Sequence, residues 1–398
     1  MKLASIEAIR VYPRVVKEAW VDDEFVWPSQ PPSFIIKATS EDGLYGIGEI
    51  TSQTWYYGET AAHLDACVSL FDDALRGCDP SNFAFAHSLM EAKVSGGMPG
   101  SRGARSGVDM ALYDLVGKAR EVPVYALLGG AYRTQFEMLT NLYYKSPEEM
   151  AQASRKFVDQ GFRGLKIKVG DVLLAKGWNR ANFEAELAKL EAALEVVPKD
   201  VYIDADANQG WGSAKWTVAV LERFAKYDNL SIEQPLPYAD LDGAAFVRAH
   251  SKTPVVLDES VWSPEALIQL IRMGAIDRMV LKLSRLGGFY PASQAVSICN
   301  AAGVGVSADT SPYSIIGDTA LCHIAATART AYPVDCEGHV SFIDFGKKAF
   351  RGGITIEKGQ ARLPDAPGLG VDVNWDQLQE LTQAPLQKVD ISAKAATR

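Results

Sequence analysis

The chain lacks the features that would direct it to a membrane or to a nucleic acid. Its 398 residues contain no run of about 20 apolar residues, the length that spans a bilayer. The formal net charge is −9, and no cluster of lysines and arginines occurs, although phosphate binding requires one. We therefore expect neither a membrane nor a nucleic acid among its partners.

Cysteine is scarce and shows no pairing pattern. The five cysteines form no CxxC motif, which argues against a disulfide framework or a zinc site. The first residues, Met1 to Glu7, alternate like a strand and lack the apolar run of a signal peptide. We therefore expect a cytoplasmic protein with free thiols.

The N-terminal third has the pattern of a small α+β domain. Residues 4–11 and 33–38 are predicted strands, and apolar residues recur at helical spacing between positions 61 and 120. Hydrophobic residues make up 47% of the chain, enough for a large core. We predict a capping domain over residues 1–130.

From about residue 136, short runs rich in Val, Ile and Leu alternate with helical stretches. The pattern gives eight predicted strands, at 137–142, 164–169, 201–208, 231–235, 254–259, 278–283, 303–308 and 332–335. Repeated strand–helix alternation indicates a parallel sheet, and eight units favour closure into a barrel. We predict an α/β fold, a modified TIM (β/α)7–8 barrel over residues 131–350, with residues 351–398 returning to the capping domain. A doubly wound open sheet is the alternative.

Acidic and basic residues recur at the ends of successive predicted strands. Asp206, Glu233, Asp258 and Lys282 follow one another at intervals of roughly 25 residues, about one βα unit each. Lys166 and Lys168 share one face of their strand and are expected to point into the barrel.

The three carboxylates on neighbouring strand ends are expected to converge. Converging carboxylates require a cation, because like charges repel at short distance. An all-oxygen set of ligands suits Mg²⁺, with Mn²⁺ as a possible substitute. A lysine beside a divalent cation and a second lysine would have a lowered pKa and could act as a base.

Together these motifs resemble the enolase superfamily, in the muconate-lactonizing subgroup of the mandelate racemase-like enzymes. The resemblance covers nearly the whole chain and rests on an ordered set of segments: 46–49, 57–60, 107–115, 127–130, 166–168, 206–211, 232–235, 258–260, 281–282 and 287–288.

The resemblance implies Mg²⁺ held by Asp206, Glu233 and Asp258, although the choice between Asp258 and Glu259 stays open at this stage. Lys168 would act as the base on one face of the substrate and Lys282 as acid or base on the other. Lys166 would lower the pKa of Lys168 and neutralise the enolate. Asn208 and Glu259 would support the ligands, and a homo-oligomer is expected.

The histidines lie away from the strand positions that a His–Asp dyad would use, which favours the arrangement with two lysines. Two bases permit racemisation or epimerisation of an amino-acid derivative next to its carboxylate. Cycloisomerisation of a muconate-type diacid and dehydration of a hydroxy acid or hydroxyproline begin in the same way and stay open. The alternative outside enzymes is a ligand-binding barrel that has lost catalysis.

Substrate choice is predicted to lie in aromatic loops and in acids at the last strand ends. The candidate substrate-binding residues are Trp20, Trp27, Trp55, Tyr56, Asp309, Asp335 and Glu337. In relatives that epimerise dipeptides, an acidic pair near Asp335 and Glu337 meets a substrate ammonium. This favours a cationic amino-acid derivative, supported by cation–π contacts. The other interpretation is that the aromatics close the site and the acids are solvated or cap helices.

Overall fold

The fold is known from a computed structural model, which describes residues 1–16, 32–52, 57–95, 100–143, 146–170, 178–330, 332–346 and 348–382. No helix within these ranges is both long and apolar enough to cross a membrane. All five cysteines lie in the described part of the chain and are free, as predicted.

The N-terminal part is an antiparallel sheet covered by helices. Strands β1 (Leu3–Val11), β3 (Ser33–Ser40) and β4 (Tyr45–Thr51) pair in the order β1-β3-β4, while the short β2 (Arg14–Val15) lies outside this sheet. Three long helices and one short helix follow: α1 (Ala61–Leu75), α2 (Phe83–Lys93), α3 (Arg102–Ala119) and α4 (Val124–Leu127).

Helix α3 is buried along most of its length because glycines let it approach β4 closely. A Cβ atom at Gly48 would lie 2.0 Å from the carbonyl oxygen of Gly107, and one at Gly46 would lie 2.1 Å from that of Ala111. Any side chain at either position would push the helix away from the sheet. This close packing fixes the position of α3 on the sheet.

The central part is a curled sheet of seven parallel strands in the order β12-β11-β10-β9-β8-β7-β6. Its strands are β6 (Leu139–Leu142), β7 (Gly164–Lys168), β8 (Tyr202–Asp206), β9 (Leu230–Glu233), β10 (Val255–Leu257), β11 (Arg278–Leu281) and β12 (Gly305–Ala308), with β5 (Gln135–Glu137) just before it. The helices between them are α5 (Pro147–Asp159), α6 (Arg180–Val196), α7 (Ala214–Arg223), α8 (Leu241–His250), α9 (Pro264–Met273), α10 (Leu283–Leu286), α11 (Phe289–Ala302) and α12 (Ile315–Ala325).

Local sequence signals explain where these helices begin and end. Ser146 and Glu149 form a reciprocal capping box at the start of α5. Ser263 caps α9 before Pro264, and Gly274 ends that helix in the left-handed conformation. Such sharp boundaries let seven strands be located from the sequence to within a few residues.

The prediction of an eighth strand over residues 332–335 is wrong. Only an isolated parallel bridge between Met138 and Val334 forms there, although the N–H of Val334 still reaches Glu137 and that of Asp335 reaches Ala308. Pro333 has no N–H to donate, so strand pairing cannot extend from Val334 toward the preceding residues. The two edges of the seven-stranded sheet are therefore joined by a single short segment rather than by a strand.

The C-terminal segment contacts both earlier parts. It contains α13 (Gly338–Ser341), β13 (Ile343–Asp344), β14 (Phe350–Gly352), β15 (Thr355–Glu357), β16 (Gln360–Arg362), β17 (Val371–Val373) and α14 (Trp375–Gln379). Strand β13 pairs with β2, and β16 pairs with β5. The N–H of Leu369 donates to Asp114 on α3 over 2.7 Å. The domain boundaries near residues 130 and 350 stay a prediction.

Two buried carboxylates join the N-terminal part to the barrel. Glu49 on β4 accepts hydrogen bonds from the N–H groups of Ser314 (2.8 Å) and Gly317 (3.0 Å) at the start of α12. Asp109 on α3 accepts one from the N–H of Phe289, at the start of α11. Helix N-termini favour anions, so both contacts stabilise the junction. They hold the N-terminal part over the strand ends that carry the polar residues described below.

Candidate active site

The predicted site residues lie together at the carboxyl ends of the parallel strands. Lys168, Asp206 and Glu233 are the last residues of β7, β8 and β9. Asp258, Lys282 and Asp309 follow β10, β11 and β12 directly. Parallel strands end at the same side of a sheet, and in barrels of this kind chemistry occurs at that side.

Three of these carboxylates form a compact buried group. Glu233, Asp258 and Asp309 each offer an oxygen within 4.8 Å of the others. Among the described residues, these three side chains are the group that could hold a metal ion. The donors are all carboxylate oxygens, which suits a hard divalent cation such as Mg²⁺ or Mn²⁺. The chemistry of the donors therefore fits a metal site, while the identity of the ion is not fixed by it.

Asp206 lies beside this group without belonging to it. It is paired in register with Glu233 on the neighbouring strand. Its Oδ2 accepts a hydrogen bond of 2.5 Å from the Lys168 ammonium, and its Oδ1 accepts the N–H of Asn208 over 2.9 Å. The predicted ligands thus occupy three adjacent strands, and Asp309 adds a fourth carboxylate at the centre. The role of Asp206 as a ligand stays a prediction.

Asp258 and Glu259 point to different surroundings. The Asp258 carboxylate is fully buried and receives a hydrogen bond from the Lys282 ammonium. The Glu259 carboxylate instead accepts from the side-chain amides of Asn208 (3.5 Å) and Gln209 (3.3 Å). Of the two acids, Asp258 is the one that faces Glu233, which parity along the strand could not decide.

The three lysines point into the barrel, which was predicted for Lys166 and Lys168 from the face of the strand that they share. Lys166 donates to Glu233 at 2.8 Å and lies 3.2 Å from Asp309. The Lys282 ammonium lies 2.9 Å from both Asp258 and Asp309. Strand β7 and strand β11 lie on either side of the three strands that carry the predicted metal ligands. Ammonium groups therefore approach the carboxylates from both flanks of the sheet.

The lysines differ in exposure. The side chains of Lys168 and Lys282 keep 14% and 11% of their surface exposed, whereas Lys166 keeps 3%. Burial alone would lower the pKa of Lys166, but the charges of Asp309 and Glu233 outweigh it and raise that pKa well above its ordinary value. Lys166 is therefore held as a cation, and Lys168 and Lys282 are the lysines that a substrate could reach.

Asp335 and Glu337 are buried where the eighth strand was predicted. The side-chain amide of Asn141 donates to Asp335 over 2.5 Å, and the hydroxyl of Thr140 donates to Glu337. Burial raises the pKa of Glu337 to about 7, and burial with the charge of Asp309 raises the pKa of Asp335 well above its usual value. Both acids are buried, so the alternative interpretation that they are solvated is excluded.

The aromatic candidates cannot be placed. Trp20, Trp27, Trp55 and Tyr56 all lie outside the described residues. Sequence reasoning missed Tyr143, whose ring lies 5.8 Å from the Lys168 ammonium. It also missed Arg285, whose guanidinium contacts Asp258. The Lys-x-x-Arg spacing directly after β11 could have indicated that Arg285 lies near the site, since residues three apart share one side of a helical turn.

The histidines make their contacts elsewhere, as expected. The hydrogen-bond partners of their rings are Gly100 and Cys67 for His63, Asp109 for His87, Phe246 for His250, Leu369 and Tyr125 for His323, and Asp318 for His339. The acid–base candidates of the site are accordingly lysines.

Comparison with known proteins agrees with this geometry. Residues 149–377 match the family described as enolase C-terminal domain-like, and residues 27–129 match the mandelate racemase / muconate lactonizing enzyme N-terminal domain. An N-succinyl-L-Arg/Lys racemase of Bacillus cereus is 30% identical over 89% of this chain and 91% of its own length. A hydrophobic dipeptide epimerase of Enterococcus faecalis is 32% identical over 85% of this chain and 91% of its own length.

A solved structure shows the same architecture. The crystal structure of the N-succinyl Arg/Lys racemase from Bacillus cereus superimposes with a TM-score of 0.83 at 28% identity, covering 96% of this chain and 99% of that one. The chain therefore belongs to the mandelate racemase / muconate lactonizing enzyme family of the enolase superfamily, and it is an enzyme of the isomerase type.

Proposed function

We propose that this enzyme abstracts the proton next to a substrate carboxylate with the help of Mg²⁺, and that it racemises or epimerises an amino-acid derivative. The observation that carries the proposal is the placement of Lys168 and Lys282 on opposite flanks of buried carboxylates. A base on each side allows a proton to leave from one face and return to the other. The racemase and the epimerase among its relatives support the same class of outcome.

In this proposal Asp206, Glu233 and Asp258 would hold Mg²⁺, with Mn²⁺ as a possible substitute. When bound, the ion would neutralise the negative charge that develops on the substrate carboxylate. Asp309 would serve the substrate and not the ion, because it follows β12, outside the three adjacent strands that carry the proposed ligands.

Lys168 and Lys282 would exchange protons with the substrate carbon, each on its own face. Both retain some exposure and end at the same rim of the barrel. Lys166, buried and held as a cation, would stabilise negative charge without transferring a proton. Proton transfer by a positioned side chain accelerates such reactions by roughly 10²- to 10⁴-fold.

The acids of the last strand ends favour a substrate that carries an ammonium group. Asp335 and Glu337 are buried near Asp309 and their pKa values are raised, mainly by burial, so a substrate ammonium beside them would favour their charged forms. The printed names of two relatives point to N-succinylated basic amino acids and to dipeptides. We infer a cationic amino-acid derivative, such as a dipeptide with a free amino group or a substrate with a basic side chain.

Proton exchange in D₂O tests the proposal directly. Purified enzyme with Mg²⁺ would be incubated in D₂O with libraries of amino acids, N-acyl amino acids, dipeptides, betaines and diacids, followed by mass spectrometry. We expect the substrate to gain one mass unit without losing atoms, and we expect its other stereoisomer to appear on a chiral column. Loss of water would instead indicate a dehydratase, lactone formation a cycloisomerase, and an absence of exchange throughout would refute the proposal.

A further inference from the structure

Arg285 is a buried arginine that touches a predicted metal ligand. It lies on α10, three residues after Lys282, and is 2% exposed. Its Nε donates to the carbonyl oxygen of Val261 over 2.9 Å, and its Nη2 donates to that of Val280 over 2.6 Å. Its Nη1 contacts Oδ1 of Asp258. The guanidinium is thus held by two backbone carbonyls and directs its remaining edge at one carboxylate.

One carbonyl partner lies on a strand and the other lies in the loop that follows the neighbouring strand. Val280 belongs to β11, and Val261 follows β10 by a few residues in the same segment as Asp258. Because a guanidinium is planar, anchoring two of its nitrogens fixes the direction of the third. Arg285 therefore has one orientation, set by the barrel backbone.

The two oxygens of Asp258 have separate partners. Oδ1 contacts Arg285, whereas Oδ2 accepts a hydrogen bond of 2.9 Å from the Lys282 ammonium. The N–H of Asp258 donates to Gln234 over 3.1 Å, which fixes its backbone as well. Arg285 thus holds Oδ1, whereas Oδ2 lies on the side of the carboxylate where the Lys282 ammonium also meets Asp309.

We propose that Arg285 is a positioning residue for Asp258. It holds the carboxylate through Oδ1 so that Oδ2 alone is presented to the divalent cation, on the flank of the site where Lys282 lies. This inference rests on the proposed function, since it takes Asp258 as a metal ligand. It assigns to the Lys-x-x-Arg segment after β11 two tasks, with Lys282 for the substrate and Arg285 for the ligand.

The positive charge of Arg285 opposes its positioning effect. A cation near the site repels a divalent ion, so removing the charge alone would strengthen metal binding. Removing the hydrogen bond frees the carboxylate to rotate, and partners that orient metal ligands typically contribute roughly 10- to 100-fold in affinity. We expect orientation to outweigh charge, because the loss of Arg285 removes the contact with Oδ1 and both backbone hydrogen bonds together.

Three variants of the full-length enzyme separate these effects, with Mn²⁺ alone as the probe. Arg285→Met removes both charge and hydrogen bonds, and Arg285→Lys keeps the charge but cannot contact three acceptors. Arg278→Met is the matched control: it removes another buried arginine, on β11, whose guanidinium lies 4.5 and 4.1 Å from the rings of Tyr202 and Tyr332. Dissociation constants and spectra of bound Mn²⁺ would be measured by electron paramagnetic resonance, after melting curves recorded without metal.

We expect roughly 10- to 100-fold weaker Mn²⁺ binding in both Arg285 variants, with an altered spectrum of the bound ion, and a much smaller change in Arg278→Met. If Arg285→Met does not fold, Arg285→Lys decides. Wild-type affinity or tighter binding in a folded Arg285 variant would overturn the inference. Normal Mn²⁺ binding by the wild type without proton exchange on any substrate would refute the proposed function and leave the role of Arg285 standing.

Discussion

Glu49 and Ser314 lie 265 positions apart in the chain, yet the buried carboxylate of Glu49 accepts both the N–H and the hydroxyl of Ser314. The contact joins the N-terminal sheet to the first turn of α12. Burial outweighs these hydrogen bonds and raises the pKa of Glu49 to about 7. The junction over the active site therefore contains a group that titrates near neutral pH.

This pKa gives a signed prediction for stability. A carboxyl group whose pKa is raised on folding binds its proton more tightly in the folded state. Its contribution to the free energy of unfolding therefore falls as the pH rises from about 4.5 to about 7, and it is constant above pH 7. We expect Glu49→Gln to flatten the fall in the free energy of unfolding across that window. Urea denaturation at several pH values measures it, with the exposed Glu41→Gln as control. Identical slopes in wild type and Glu49→Gln would contradict the prediction.

The two lysines give the second prediction. Lys168→Ala and Lys282→Ala should each reduce racemisation by roughly 10²- to 10⁴-fold. Each should still exchange the α-proton of one substrate enantiomer, the opposite one in the two variants, because the remaining lysine serves its own face. Exchange in D₂O followed separately for each enantiomer measures this, and the exposed Lys199→Ala serves as control. Loss of exchange for both enantiomers in either variant would argue against two independent bases.

Much of this site could be predicted because it depends on local pattern. Seven strands have strong apolar runs with sharp boundaries, and a polar residue just after such a run must lie at the rim of the barrel. The shared parity of Lys166 and Lys168 was enough to direct both inward, where Lys166 meets Glu233 and Lys168 meets Asp206. These inferences need only the period of a strand and the order of the strands.

The features that could not be predicted depend on distances between remote segments. Asp309 continues the strand-end spacing, one βα unit after Lys282, but β12 is a neighbour of neither β9 nor β10, so its approach to Glu233 and Asp258 depends on the curl of the sheet. The contact of Asp109 with Phe289 joins residues 180 positions apart. The eighth strand failed for a local reason that was visible, since Pro333 removes a donor in the middle of a short apolar run.

The choice of metal ligands gives the third prediction. Asp206→Asn should weaken Mg²⁺ binding strongly, because it removes a charged ligand, whereas Asp309→Asn should leave metal binding within a few-fold of wild type and weaken substrate binding. Isothermal titration of each variant with Mg²⁺, and then with substrate, separates the two roles. The reverse pattern would mean that the ion is held by Glu233, Asp258 and Asp309, the buried group that lies closest together.

The acids near the predicted eighth strand give the fourth prediction. If Asp335 and Glu337 meet a substrate ammonium, Asp335→Asn and Glu337→Gln should raise KM for amino substrates by roughly 10- to 100-fold, since a hydrogen bond to a charged group contributes about 1.5–3 kcal/mol. Both changes keep the size of the side chain, and kcat should change less. The matched control is the same substrate with its amino group acetylated. Its KM in the wild type should be higher than that of the amino substrate, and neither variant should change that KM much. Unchanged KM for the amino substrate in both variants would show that these buried acids serve the fold through Asn141 and Thr140 and not the substrate.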